Sequence, residues 1–133
     1  MTDARMGDAL WPALERLPRG AGVVFRHYDH PDRRGLYERV RRVARRRGLI
    51  LVLAGTMRAA IGWRADGVHG DHRPGHPPRP LLRTASAHDA RELRRAELGG
   101  ADIIFMSPIF VPAPIPATAR SAPSASDCLP AAA

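Results

Sequence analysis

The chain alternates strand-like apolar segments with segments of helical periodicity, and this alternation limits its possible folds more than any other feature. Five segments have the composition of buried strands: residues 22–28, 49–55, 65–70, 81–88 and 101–110. Helical spacing predicts helices over residues 8–16 and 34–47, the latter ended by Gly48, a short helix after Gly55, and a helix with Asp89 as its N-cap. Alternating strands and helices form βα units with right-handed crossovers, so we expect an α/β fold with a parallel sheet.

Polar residues gather where the predicted strands end: Arg26, His27, Asp71, residues 86–88 and Ser107. The carboxyl ends of parallel strands carry the functional site in α/β barrels and open α/β sheets, so we expect the site at this edge. A closed eight-stranded barrel needs about 200 residues or more. Five strands in a chain of 133 residues therefore predict an incomplete (β/α)8 TIM barrel.

The large positive charge of the chain is only weak evidence for a nucleic-acid partner. The formal net charge is +8, and all 21 basic side chains are arginines, while Lys, Asn and Gln are absent. Such usage is typical of a GC-rich genome, and the arginines of residues 39–46 have the spacing of a solvated helix face. We therefore expect no nucleic-acid partner, although a basic binding module without catalysis stays open as an alternative.

Location and membrane contact follow from what the sequence does not contain. No apolar run is long enough to span a membrane, and the first residues lack the layout of a signal peptide. Cys128 is the single cysteine, so disulfides contribute nothing. We expect a cytoplasmic protein with no membrane partner.

Several motifs in a fixed order resemble those of one enzyme family. The chain contains A-D-G-V-H at residues 65–69, S-A-H at 86–88, an E-x-x-x-A helix, G-A-D at 100–102 and S-P-I-F at 107–110. Earlier stretches with matching counterparts are VVFRHY, ARRRGLILVLAG and MTDAR. In order and spacing these motifs resemble the thiamine phosphate synthase/TenI family over about residues 1–110.

The resemblance implies which part of the barrel is present. Residues 1–110 would begin at the end of the first strand and contain strands two to six of the family barrel. Strands seven and eight, which hold the thiazole phosphate in the family, would be missing. Residues 111–133 are rich in Pro, Ala and Ser and are expected to be a disordered tail. The hypothesis for its origin is a frameshift near Phe110, with a natural Pro/Ala-rich tail as the alternative. The open sheet edges predict self-association.

The resemblance also implies an activity and residues that carry it. The family joins a hydroxymethylpyrimidine diphosphate to a thiazole phosphate, and truncation is expected to impair this activity here. Arg26 matches the arginine that faces the pyrophosphate, with His27 beside it as a further substrate-binding candidate. Ser86 matches the family serine, and Ser107 is expected to contact ligand. His88 matches the histidine of the TenI-type thiazole tautomerases, which implies a metal-free alternative activity.

The expected cofactor is Mg²⁺, because synthases of the family use it, but the chain departs from the family at the metal site. An Asn-Asp pair ends the third strand in the family, whereas Ala54 and Gly55 stand here. Asp71 is the remaining candidate metal ligand, at an altered offset. His69, at the end of the predicted strand 65–70, and His72 and His76, in the irregular loop after it, could suggest a metal site with Asp71, but a solvated loop is the simpler interpretation.

Overall fold

The computed structural model describes residues 1–71, 73 and 79–108. A 3-10 helix (Ala4–Ala9) leads into α1 (Leu10–Arg16). The following elements are β1 (Gly22–Phe25), α2 (Arg33–Arg47), β2 (Ile50–Ala54), α3 (Met57–Gly62), β3 (Gly67–His69), β4 (Leu82–Ala87), α4 (Ala90–Leu98) and β5 (Ile103–Met106). All five predicted strands and all four predicted helices are present, with strands shorter than predicted.

The helix boundaries follow from local chemistry. The Asp89 carboxylate accepts a hydrogen bond from the Glu92 N–H, which makes it the N-cap of α4 as predicted. Asp32 and Thr56 cap α2 and α3 in the same way. Gly48 ends α2 with a φ of 65°, a left-handed conformation that glycine adopts without the steric cost of a side chain.

The five strands form one parallel sheet whose spatial order is the same as their order in the chain. Each βα unit therefore lies beside the previous one, as in a barrel, whereas a doubly wound sheet reverses direction. The sheet is a partial barrel, and this confirms the fold class expected from the sequence.

The sheet has two faces with different contents. On the outer face, strand residues such as Phe25, Leu51 and Val68 pack with helix residues such as Leu14 and Tyr37 in one large apolar cluster. On the inner face, Val24, Val52, Ala54 and Leu82 form a smaller cluster. Because side chains alternate along a strand, the inner face also receives His69, Thr84, Ser86, Ile103 and Phe105.

The first residues lie beside β1. The Thr2 N–H donates to the carbonyl oxygen of Val24 at 2.8 Å, so the segment before the 3-10 helix is hydrogen-bonded to the edge strand of the sheet. The sequence predicted a helix from residue 8, whereas α1 begins at Leu10 and the 3-10 helix precedes it. The predicted tail, residues 111–133, lies outside the described residues, as do His72, His76 and Phe110. No helix among the described residues is long and apolar enough to cross a membrane.

Candidate functional site

A cleft of about 550 Å³ lies at the carboxyl ends of β1, β2 and β3. It is lined by Tyr28, Gly55, Thr56, His69, Gly70, Asp71 and Arg73. The position is the one at which parallel α/β folds bind their ligands, because loops of several adjacent strands converge there. The cleft is therefore the candidate functional site.

A buried histidine links two strands at this edge. The Nδ1 atom of His69 lies 2.8 Å from the hydroxyl of Thr84, and its Nε2 atom lies 3.3 Å from the hydroxyl of Ser86. His69 and Thr84 are register partners of β3 and β4, and Ser86 follows Thr84 on the same face. The hydrogen bond connects Ser86 to a residue that lines the cleft.

The Asp71 carboxylate is held by main-chain hydrogen bonds. Its Oδ2 atom accepts from the Met57 N–H at 2.6 Å, and its Oδ1 atom accepts from the Arg73 N–H at 3.1 Å. Partial burial raises the pKa of Asp71, but these two hydrogen bonds and the charges of Arg73 and Arg83 outweigh it and hold the pKa below its usual 3.8. Asp71 is thus an ionised acceptor that fixes the start of α3 and the loop after β3.

Arg33 joins the ends of β1 and β2 beside the cleft. Its guanidinium donates to the carbonyl oxygen of His27 at 2.9 Å and to that of Ala54 at 2.6 Å. The same group lies 5.3 Å from the ring centroids of both Tyr28 and Trp63. Such contacts stabilise a cation without neutralising it, so Arg33 places positive charge next to the cleft.

Arg26 and His27 are adjacent in sequence but point in different directions. The exposed Arg26 side chain continues the inner-face alternation of Val24, and its guanidinium lies 3.7 Å from the sulfur of Met1. The buried His27 ring stacks on Phe25 at 5.0 Å and shares a hydrogen bond with the Thr2 hydroxyl. Arg26 is therefore available to a ligand, whereas His27 packs within the protein.

His88 and Ser107 lie together at the ends of β4 and β5. The Nδ1 atom of His88 contacts the carbonyl oxygen of Ser107 at 2.5 Å, and a carbonyl oxygen only accepts, so Nδ1 carries a proton. In the neutral ring, Nε2 then has a lone pair. Neither residue lines the cleft at β1 to β3, and the exposed His88 forms a separate position along the same edge.

Sequence reasoning missed two residues of this site. Arg33 was not singled out, since the predicted helix begins at residue 34, and His69 was considered only as the end of a predicted strand beside a loop with two further histidines. The A-D-G-V-H motif carried a usable signal for His69, because period-two alternation places it on the same face as Val52 and Ala54. No local signal identified Arg33, since its partners lie on two separate strands.

Comparison with known proteins bears on both fold and family. A sequence profile described as thiamine monophosphate synthase matches residues 7–123. No curated protein matches the chain. Among solved structures, the thiamine phosphate pyrophosphorylase from Pyrococcus furiosus is similar with a TM-score of 0.61 and 22% identity, over 81% of this chain and 58% of that chain. The enzyme of that name from Bacteroides thetaiotaomicron has a TM-score of 0.47 and 24% identity, over 81% and 54%.

The structural match supports the fold, whereas the sequence profile supports the family. At 22% identity the likeness to the Pyrococcus structure concerns the fold, and it confirms the partial barrel. This chain spans a little more than half the length of either relative. The profile, in contrast, covers most of the 133 residues and agrees with the resemblance found in the motifs. The chain belongs to the thiamine monophosphate synthase family.

Proposed function

We propose that this chain binds phosphorylated pyrimidine and thiazole precursors of thiamine and acts in the step that joins them, in the cytoplasm. The observation that carries the proposal is the cleft at the carboxyl ends of β1 to β3, with Arg73 in its lining and the His69–Ser86 hydrogen bond at its side. Membership of the family supports the choice of substrates.

The proposed reaction explains why arginines suit this edge. The thiazole nitrogen attacks the methylene carbon of the pyrimidine diphosphate, a C–N bond forms, and the C–O bond to the diphosphate breaks. Pyrophosphate leaves with the electron pair and with negative charge on its oxygens. A guanidinium binds two such oxygens at once, and Arg26 is an exposed guanidinium on the inner face of the sheet end.

Titration of each precursor into the purified chain by calorimetry tests the proposal. Arg26→Gln is expected to weaken binding of the pyrimidine diphosphate at least tenfold. Arg42→Gln on the exposed outer part of α2 is the matched control and should leave affinity unchanged. When both precursors are supplied, formation of thiamine phosphate and release of pyrophosphate in equal amounts would support the joining reaction. A folded chain that binds neither precursor would refute the proposal.

A second candidate is proton transfer within a thiazole phosphate by His88. The observation that favours it is the hydrogen bond from Nδ1 to the Ser107 carbonyl oxygen, which leaves Nε2 of the neutral ring as a base. The readout is incorporation of solvent deuterium at the thiazole-ring carbon. His88→Asn should abolish incorporation, while His30→Asn, in the loop after β1, should not change it. Equal incorporation in both variants would exclude this activity.

A further inference from the structure

The magnesium site that the family implies needs oxygen donors that this cleft does not offer. Mg²⁺ takes near-octahedral oxygen ligands, with carboxylates as its usual protein contacts. Among the described residues that line the cleft, Asp71 alone has a carboxylate, and both of its oxygens accept main-chain N–H groups. Within the described part of the chain, no three His, Cys, Asp or Glu residues are grouped so that they could hold a metal ion.

The end of β2 is unsuitable for a cation for a second reason. Ala54 and Gly55 provide no side-chain donor there, and the carbonyl oxygen of Ala54 already accepts from the Arg33 guanidinium. The His27 carbonyl oxygen at the neighbouring strand end accepts from the same group. A divalent cation at these oxygens would displace the Arg33 guanidinium or lie beside it. Like charges that close together repel strongly. The residues present do not fit the metal.

Arginines provide positive charge at the same place. The Arg73 side chain lines the cleft and is exposed. Its main chain is fixed on both sides, because its N–H donates to Asp71 and its carbonyl oxygen accepts from Arg83 at 2.7 Å. Arg33 adds a second guanidinium, held against Tyr28, which itself lines the cleft.

We propose that this cleft binds the diphosphate group of its substrate without a divalent metal, with Arg73 as a direct ligand from the cleft lining, in addition to Arg26, and Arg33 as fixed positive charge behind it. The inference rests on the proposed function, since it specifies how the diphosphate is held. Guanidinium groups suit this role, because they stay protonated at any physiological pH and bind phosphate oxygens in pairs. In this cleft, arginine side chains supply the positive charge that a metal ion supplies in a metal site.

Calorimetry with inorganic pyrophosphate separates the two modes of binding. The full chain is titrated once in EDTA and once in millimolar Mg²⁺. We expect dissociation constants that agree within threefold, and at least tenfold weaker binding for Arg73→Gln in EDTA. Arg94→Gln, on the exposed face of α4, is the control and should bind as the unsubstituted chain does. Binding that appears only with Mg²⁺ would overturn the metal-free mode while leaving the proposed function intact. Absence of binding under both conditions would overturn the metal-free diphosphate site, and the proposed function would then depend on the titrations with the two precursors.

Asp71→Asn gives a second test in which the two modes predict opposite signs. If Asp71 is only a main-chain acceptor, removing its negative charge from the cleft tightens pyrophosphate binding. If Asp71 were a metal ligand, the same change would weaken binding in Mg²⁺. The variant is expected to lose some thermal stability, because the carboxylate holds the first residue of α3. Should it fail to fold, the comparison of EDTA with Mg²⁺ and the Arg73→Gln titration still decide the question.

Discussion

A side chain at Gly67 would collide with the main chain of Leu82, because a Cβ built on Gly67 lies 2.4 Å from the Leu82 carbonyl oxygen. The two residues are register partners on β3 and β4. The glycine of the A-D-G-V-H motif is thus required by the close approach of a neighbouring strand. It also keeps the inner face free beside His69.

Gly67→Ala is therefore expected to lower the free energy of unfolding by about 1–3 kcal/mol, the usual effect of overpacking. Gly62→Ala is the matched control, because a Cβ there meets nothing within 4 Å, and it should be neutral or slightly stabilising. Urea denaturation followed by circular dichroism measures both. Equal stability of the two variants would contradict the proposed steric role of Gly67.

Arg33 stabilises the ends of β1 and β2. Arg33→Met leaves the carbonyl oxygens of His27 and Ala54 without their donor, so we expect a loss of about 2–3 kcal/mol, as for hydrogen bonds to charged groups. Arg33→Lys should recover part of this loss, because a lysine keeps the charge but not the planar fork. Arg42→Met on the outer part of α2 should change stability by less than about 0.5 kcal/mol. If Arg33→Met were equally mild, the two hydrogen bonds would contribute nothing.

His69 and Ser86 are expected to be coupled energetically. In a double-mutant cycle with His69→Ala and Ser86→Ala, the effects on unfolding free energy should be non-additive by about 0.5–1 kcal/mol, because either change removes the same hydrogen bond. A cycle with His69→Ala and Glu15→Ala should be additive, since Glu15 pairs with Arg46 at the opposite end of the sheet. Both cycles are measured by urea denaturation. Additivity in the first cycle would mean that the bond does not form in solution.

The stability of the chain should depend on pH through His27. Burial lowers the pKa of His27 below its usual 6.5, with a further contribution from His30 and an opposing one from Asp3. The unfolded chain therefore binds a proton at a higher pH than the folded chain does. The stabilising contribution is complete above about pH 6.5 and is lost as the pH falls through the lower folded pKa.

Melting curves of the unsubstituted chain and of His27→Gln between pH 8 and pH 5 test this dependence. Between pH 8 and pH 5, the melting temperature of the unsubstituted chain should fall more than that of His27→Gln. The difference between the two curves should shrink toward low pH. Parallel curves would show that His27 does not titrate differently in the folded state.

The last strand of the described sheet is expected to promote self-association between copies of this chain. In β5, Ile103, Phe105 and Met106 are 45%, 40% and 43% exposed, and an open parallel edge also presents main-chain hydrogen-bonding groups. Sedimentation velocity should show a mass that rises with concentration, and Phe105→Glu should reduce it. Ile50→Glu, on the internal strand β2, is the control. A monomer at all concentrations with cooperative melting would contradict this expectation.

The elements were predictable from sequence because their signals are local. Apolar runs marked the strands, and Asp89 and Gly48 marked helix ends by chemistry that acts within one turn. The 3-10 helix before α1 was missed, since it carries no apolar periodicity and includes Gly7 in a non-helical conformation. Local signals therefore gave the order of elements but not every boundary.

The site was less predictable, because its contacts join residues that are distant in sequence. Arg26 and His27 were grouped as one polar pair, although alternation along the strand separates them onto opposite faces. The bond between Ser86 and His69 depends on the register of two strands, which no single segment specifies. The assignments of Arg26, Ser86, His88 and Ser107 to substrate or catalysis stay predictions, and the proposed experiments test those of Arg26 and His88.

The agreement between strand order in space and in the chain also bears on how the molecule comes apart. Within the described part of the chain, each strand is hydrogen-bonded only to the strands before and after it, so stability is transmitted from one βα unit to the next, much as in a linear array of repeats. Opening at β5 leaves the pairing of β1 with β2 intact, and opening at β1 leaves the pairing of β4 with β5 intact. The protein should therefore fray inward from its two outer strands, with hydrogen exchange slowest in the middle of the sheet.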